Sequence, residues 1–108
     1  MIPAELFWII DSTITATFDR VRLDTNLSPE KRLQFAVLKD ALWTFAERRK
    51  RHAVQKNVRK WIFGEGIPGW PFSFESICEV FDISASHLRN LCREYDAKAN
   101  RQKHKRAA

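Results

Sequence analysis

Glycine and proline are scarce in this chain of 108 residues, which holds three glycines and four prolines. An all-β fold needs many tight turns, and such turns depend on these two residue types. An apolar fraction of 44% and thirteen aromatic residues are enough to build a core, and they argue against disorder over most of the chain. The composition therefore predicts one domain of mainly α-helical structure.

Long hydrophobic runs are also absent. The longest, Leu6–Ile10, is far shorter than the roughly 18 apolar residues that cross a bilayer, and it lacks the basic region and cleavage site of a signal peptide. The only two cysteines, Cys78 and Cys92, indicate neither a disulfide framework nor a zinc site, because their spacing fits no known ligand pattern. We expect a cytoplasmic protein with reduced thiols and no membrane partner.

Motifs for catalysis are missing as well. The sequence has no nucleophile motif, paired-carboxylate signature or phosphate-binding glycine loop. Its glycine-rich stretch, GEGIPG, follows a helical segment instead of a strand and lacks the lysine and hydroxyl residue of a phosphate loop. We predict no enzymatic activity, no cofactor, no metal site and no small-molecule ligand.

Positive charge is concentrated in two segments of a chain whose net charge is +6. Residues 48–60 contain seven lysines and arginines, residues 97–108 contain five, and neither segment has an acid. The remainder of the chain therefore has a net charge of −6. Two basic segments beside an acidic body suit the binding of a polyanion, above all nucleic acid. Solvated helix faces and a solubilising tail are the alternative explanation.

Two regions before the first basic segment favour helices. Between residues 3 and 23 apolar residues recur at every fourth position, which predicts a helix, although the β-branched stretch STITATF would also suit a strand. Ser28 and Pro29 then form a helix start, with a capping serine and a proline at the first helical position. The apolar face of this helix comprises Leu38, Ala41, Leu42 and Phe45.

A second apolar set follows without an intervening glycine or proline. It comprises Val54, Val58, Trp61 and Ile62. One helix over residues 29–63 would be about 50 Å long, and its two apolar sets would lie on opposite sides. We therefore predict a break or sharp bend within residues 48–53, with a continuous, dimerising helix as the alternative. Gly64 is predicted to end the second helix in the left-handed conformation.

The segment from residue 73 to residue 95 has the pattern of two short helices joined by a turn. Ser73 and Ser84 are each predicted to cap a helix start, and Ile83 points inward from the turn. The apolar residues, spaced i, i+3, i+4 and i+7, are Phe74, Ile77, Cys78 and Phe81 in the first helix and Leu88, Leu91, Cys92 and Tyr95 in the second. A helix-turn-helix requires this arrangement, because the first helix packs on the second and leaves its other face free.

Over about 20 residues this segment resembles the helix-turn-helix signature of bacterial regulators and of the promoter-reading domain of sigma factors. In that resemblance Cys78 is the small residue that faces the second helix, and Ile83 is the inward residue of the turn. Asp82 stands where these motifs usually have glycine, at a position that favours the left-handed conformation. More widely, residues 29–95 resemble small bacterial proteins of unassigned function that share the block Trp-Pro-Phe-Ser-Phe-Glu.

The resemblance implies DNA binding and assigns candidate residues. The second helix would present to the major groove Ser84, Ala85, Ser86, Arg89, Asn90 and Arg93. Arg89 would bond guanine and Asn90 adenine, each through two hydrogen bonds, while the serines would bind phosphate at the helix start. Cations of the first basic segment would contact phosphates without reading sequence. These cations are Arg49, Lys50, Arg51 and Lys56.

The charge of the hairpin itself opposes DNA binding. Residues 72–96 hold two arginines against five acids, a net charge of −3, so binding needs the basic segments outside it. We predict an all-α protein of four to five helices. It would comprise a single helical domain over residues 1–96, with a helix-turn-helix over about 73–95, and a flexible basic tail over 97–108.

The predicted function is that of a bacterial transcriptional regulator that binds double-stranded DNA, with a homodimer as a possible form. Two alternatives stay open on the sequence. The chain could be a protein–protein interaction module of the transcription machinery, or a nucleic-acid-binding protein that uses only its basic segments and reads no sequence.

Overall fold

The computed structural model describes residues 10–47, 52–64, 66–67 and 69–107, with side chains described as far as Lys98. These residues form five helices and no strand, so the all-α prediction is confirmed. The helices are α1 (Ser12–Leu23), α2 (Pro29–Ala46), α3 (His52–Phe63), α4 (Phe74–Val80) and α5 (Ala85–Ala107). None of the described helices is both long enough and apolar enough to cross a bilayer.

The first helix resolves the ambiguity of the stretch STITATF in favour of a helix. Asp11 caps it, and a carboxylate oxygen accepts a hydrogen bond from the Ile14 backbone N–H at 3.0 Å. Ile14, Phe18 and Val21 are buried at the i, i+4, i+7 spacing of one helix face. Burial of this face outweighs the weak helix propensity of the β-branched residues. The part of the prediction before residue 10 lies outside the described residues.

Helices α2 and α3 are separate, so the alternative of one continuous helix is wrong. Ser28 caps α2, accepting from the Lys31 N–H at 3.2 Å, and α2 ends at Ala46. Helix α3 begins at His52. A single helix would have left one of its two apolar sets in water, whereas two helices bury both Phe45 and Ile62 completely.

Gly64 follows α3 but is not left-handed, contrary to the prediction, since Gly69 is the only described glycine with a positive φ. Its N–H continues the helical pattern by donating to the Lys60 carbonyl at 2.9 Å. A Cβ at this position would lie 2.4 Å from the same carbonyl oxygen. Close backbone approach, and not backbone conformation, therefore requires glycine here.

Helices α4 and α5 are joined by a tight turn, as predicted. Ser73 and Ser84 both cap helices, with bonds from the N–H groups of Ser76 and His87 at 3.1 and 3.2 Å. Asp82 is left-handed, with φ of 58°. Ile83 is buried, and its N–H donates to the Cys78 carbonyl at 2.8 Å. The turn is thereby held against the end of α4.

The core lies where α2 packs on α3 and α4 and where α4 packs on α5. Its fully buried side chains include Phe18, Leu38, Phe45, Ile77 and Leu88. Trp61 closes one edge by donating its indole N–H to the Phe72 carbonyl at 3.0 Å and by meeting the Phe74 ring edge to face at 5.5 Å. Trp61 thereby joins α3 to the start of α4.

Residues 97–107, separated in the sequence analysis as a basic tail, continue α5 without a break in the backbone. At 1.5 Å per residue the helix is about 34 Å long. Described residues extend over 52 × 28 × 23 Å. The boundary at residue 97 is therefore a change of composition and not the end of a helix.

Candidate nucleic-acid interface

Along the exposed side of α5, next to the exposed Glu94, runs a stripe of small and polar residues with no acid in it. Its members are Ser86, Asn90, Arg93 and Ala97, all exposed and spaced i, i+4, i+7 and i+11. The opposite side of the helix holds Leu88 and Cys92, which are fully buried. We call these four residues the outer stripe. They include three of the side chains that the sequence analysis assigned to the major groove.

Arg89 departs from the predicted outward orientation. Its side chain is only 16% exposed, and its Nε donates to the Ile62 carbonyl at 2.7 Å. A second nitrogen lies 3.1 Å from the Glu75 carboxylate, and the guanidinium lies 5.0 Å from the centre of the Phe74 ring. Arg89 therefore joins α3, α4 and α5 and does not present its donors to a base.

The helix position of Arg89 explains this outcome. It lies 100° around α5 from Leu88 and 60° from Cys92, on the border of the buried face. An arginine there can lay its apolar stem on the core while its head reaches a carbonyl. Residues 88–92 carry this signal in the sequence, but only the position of α3 supplies the Ile62 carbonyl.

Asn90 and Arg93 are exposed as predicted, and they form a pair. An Arg93 Nη donates to the Asn90 amide oxygen at 3.0 Å. The Arg93 guanidinium also lies over the Phe63 ring, 5.3 Å from its centre. Cation–π contact of this kind restricts a side chain that would otherwise sample many rotamers.

The start of α5 is occupied by contacts within the protein. The Oγ of Ser84 is used as the helix cap, and Ala85 is half-buried. His87 lies at the edge of the exposed side, with its Nε2 2.6 Å from the Asp11 carboxylate. The Ile14 N–H and the His87 ring lower the pKa of Asp11 below its ordinary value of 3.8, against a smaller effect of burial.

An acidic groove lies between α4 and the start of α5. It has a volume of about 620 Å³, and three carboxylates line it beside the single cation Arg89. These carboxylates belong to Glu75, Glu79 and Asp82. A phosphate at the start of α5 would stand close to them, which disfavours the phosphate contacts predicted for Ser84 and Ser86.

Helix α3 runs antiparallel to α5. Ile62 and Phe63, at the end of α3, contact Arg89 and Arg93, whereas Arg59 binds Asp96 further along α5. The start of α3 is therefore beside the second half of α5. Exposed Lys56 lies at this end of the molecule, and α5 continues past it through a sequence with five cations and no acid.

Among the described cations of the first basic segment, Arg59 forms an ion pair. Its guanidinium makes two hydrogen bonds to the Asp96 carboxylate, at 2.6 and 2.8 Å, and lies 4.7 Å from the centre of the Phe45 ring. The bonds to Asp96 raise the pKa of Arg59. Lys56 and Lys60 are exposed. Arg49, Lys50 and Arg51 lie outside the described residues.

The two cysteines have the properties of core residues. Cys78 and Cys92 are buried free thiols, and burial raises the pKa of each to about 12. Both are therefore protonated at neutral pH, whereas metal binding and nucleophilic attack need the thiolate. Within the part of the chain that is described, no three histidine, cysteine or acidic side chains are grouped as metal ligands would be.

No protein-family model, curated protein or solved structure matches this chain.

Proposed function

We propose that the protein binds double-stranded DNA, as a helix-turn-helix transcriptional regulator of the bacterial type does. The outer stripe of α5 would face the major groove, and the cations at the start of α3 and the end of α5 would contact phosphates. The observation that supports this proposal most is the Arg59–Asp96 ion pair, because it joins the described part of the first basic segment, residues 52–60, to α5 just before the second basic segment begins.

The dimensions and surface of α5 support this proposal. An α-helix with its side chains is about 10–12 Å wide, and the major groove of B-DNA is about 12 Å wide. The described outer stripe offers small and donor groups to such a groove and no carboxylate. Of the five acids of residues 72–96, Asp96 is already bound to Arg59, and three line the groove at the start of α5. The fifth, Glu94, is exposed one helical turn from Asn90, beside the outer stripe.

The proposed contacts differ from those predicted from the sequence. Arg89 would stabilise the fold beneath the interface, since Ile62, Phe74 and Glu75 occupy it. Base contacts would come from Asn90 and Arg93. Phosphate contacts would come mainly from Lys56 and the second half of α5, away from the acidic groove, and Lys60, nearer the end of α3, would add to them.

A salt titration tests this proposal. Binding of a labelled random duplex should weaken linearly in a log–log plot between about 50 and 200 mM salt, because each phosphate contact releases counterions. Replacing both Lys56 and Lys60 by alanine should reduce the slope by roughly 0.9 for each phosphate that a lysine no longer neutralises. Lys31→Ala, an exposed lysine in the first turn of α2, is the matched control and should leave the slope unchanged.

Two results would contradict DNA binding by this surface. One is the absence of any duplex binding at low salt, and the other is an equal effect of the Lys31 control. The first result would favour a protein–protein interaction module, which the acidic groove between α4 and α5 supports, because it repels phosphate. If the protein binds duplexes of different sequence with equal affinity, the result would favour binding to phosphates without base reading.

A homodimer is part of the proposal for a physical reason. One recognition helix contacts only a few base pairs, and helix-turn-helix regulators commonly pair two such helices on a symmetric site. Analytical ultracentrifugation with and without a selected duplex would decide this point. Two chains per palindromic site are the expected result, and a single chain bound with full affinity would contradict it.

A further inference from the structure

Asn90 and Arg93 are restrained together at the centre of the outer stripe. Arg93 lies over the Phe63 ring, 5.3 Å from its centre, and donates to the Asn90 amide oxygen at 3.0 Å. Both side chains are nevertheless exposed. The pair is therefore organised before any ligand arrives, which reduces the conformational entropy that binding would cost.

The chemistry of arginine determines which end of the amide faces it. A guanidinium has five N–H donors and no acceptor, so the group opposite it must be the amide oxygen of Asn90. The amide nitrogen, with two donor hydrogens, is then at the other end. The pair therefore offers a ligand several donors, namely the Asn90 amino group and the remaining guanidinium N–H groups, and only one acceptor site, the second lone pair of the Asn90 oxygen.

We infer that Asn90 and Arg93 act as one unit, offering mainly donors, that selects guanine in the major groove. Guanine presents two acceptors there, N7 and O6, whereas adenine presents the acceptor N7 and the donor N6 amino group. Reading adenine would require the Asn90 oxygen to accept from N6 through its second lone pair, which would bring the N6 amino group beside the guanidinium donors of Arg93. Guanine matches the pair without rearrangement. This inference rests on the proposed DNA binding.

The inference revises the role assigned to Asn90 from the sequence, where it was expected to read adenine independently. That expectation treated the two ends of the amide as equally free. The contact with Arg93 uses one lone pair of the Asn90 oxygen and sets a cation beside the other, while the amino group stays free to donate. A single charge-assisted hydrogen bond thus changes which base the helix favours.

The test begins with selection of binding sites from random duplexes at low salt. Selected sites are expected to contain guanine. Replacing each guanine in turn by 7-deazaguanine, which lacks the N7 acceptor, should weaken binding about tenfold at the contacted position. Replacing guanine by inosine, which keeps N7 and O6, should leave affinity unchanged if reading is through the major groove.

One variant and its control test whether the preference for guanine depends on the Asn90–Arg93 pair. Asn90→Asp keeps an oxygen toward Arg93 but replaces the outward amino group by an acceptor, so the preference for guanine should fall about tenfold. Glu94→Gln changes a neighbouring exposed position outside the pair. It is the matched control and should keep the preference for guanine. Circular dichroism of each variant would show that the helical content is retained.

The possible failures are distinct. Selected sites with adenine at the contacted position, or no effect of 7-deazaguanine or of Asn90→Asp, would overturn guanine selection while duplex binding stands. Absence of duplex binding at low salt would overturn the proposed function and this inference together.

Discussion

At the scale of single residues, Arg89 is the side chain whose role changes most. The sequence pattern places it among the base-reading residues of α5, whereas the structure places it against the Ile62 carbonyl, the Phe74 ring and Glu75. A hydrogen bond from a charged donor contributes about 1.5–3 kcal/mol to stability, and its removal leaves the carbonyl unpaired. Arg89 therefore stabilises the meeting point of three helices.

Replacement of Arg89 by alanine is expected to destabilise the fold by about 2 kcal/mol. The measurement is urea unfolding followed by tryptophan fluorescence. Ser86→Ala, on the outer stripe, is the control and should change the free energy of unfolding by less than about 0.5 kcal/mol. Equal stability of the Arg89 variant and the wild type would show that the inward contacts contribute nothing in solution.

At the scale of elements, the turn between α4 and α5 and the tie between α1 and α5 hold the outer stripe in place. Asp82 adopts φ of 58°, a conformation that costs an ordinary residue roughly 1–2 kcal/mol and glycine almost nothing. The carboxylate of Asp11 meanwhile caps α1 and contacts His87 near the start of α5. These contacts orient α5 from its first turn.

Asp82→Gly is expected to stabilise the protein by up to about 1 kcal/mol, because glycine relieves the left-handed strain of the turn. A shift of the urea midpoint to higher concentration, with an unchanged slope, is the predicted readout. Asp82→Asn separates strain from charge, since it removes the carboxylate but keeps a side chain. A gain in Asp82→Asn as large as that in Asp82→Gly would assign the effect to charge instead.

The Asp11 contact predicts a dependence of stability on acid pH. Since the pKa of Asp11 is lower in the folded protein than its ordinary value of 3.8, the unfolded chain binds more protons around that pH. The stabilisation is thus complete at pH values above the ordinary pKa of an aspartate. It disappears as the pH falls through the lower pKa that Asp11 has in the folded protein. Unfolding curves taken from about pH 5 downward should show a smaller decline for Asp11→Asn than for the wild type. Parallel declines would mean that Asp11 does not contribute.

At the scale of the whole molecule, the two ends of α5 differ in charge. Its start adjoins the groove lined by Glu75, Glu79 and Asp82, and its second half adjoins the basic start of α3. Within the described residues, the Arg59–Asp96 ion pair joins the two helices at this basic end. The Asp96 carboxylate therefore has two opposite effects. It stabilises the fold by binding Arg59 of α3, and it reduces the positive electrostatic potential at this end of the molecule.

Asp96→Asn should consequently lower the free energy of unfolding by about 1–3 kcal/mol and, if DNA is bound at this end, tighten duplex binding. The salt dependence should also become steeper, because Arg59 gains access to a phosphate. Denaturant unfolding and the duplex titration measure the two effects separately. Asp19→Asn, which alters an exposed ion pair on α1, is the control and should change neither appreciably. Weaker duplex binding in the Asp96 variant at a temperature where it is fully folded would contradict this prediction.

Much of the fold could be predicted from local signals. Serines 28, 73 and 84 mark helix starts, and the apolar spacing around Phe45 and Leu88 marks the buried faces. Capping and periodicity involve residues only a few positions apart, so their physics is contained in short stretches of sequence. The left-handed conformation of Asp82 was expected from the resemblance to helix-turn-helix motifs, which usually have glycine at this position of the turn.

The candidate site depends on contacts between residues far apart in the chain. Arg89 turns inward because Ile62 is beside it, and Asp96 binds Arg59 because α3 runs antiparallel to α5. Residue types and spacing specify which donors and charges a helix carries. Which of them remain available to a ligand depends on the neighbours that packing brings within hydrogen-bond distance, and helix periodicity contains no information about those neighbours.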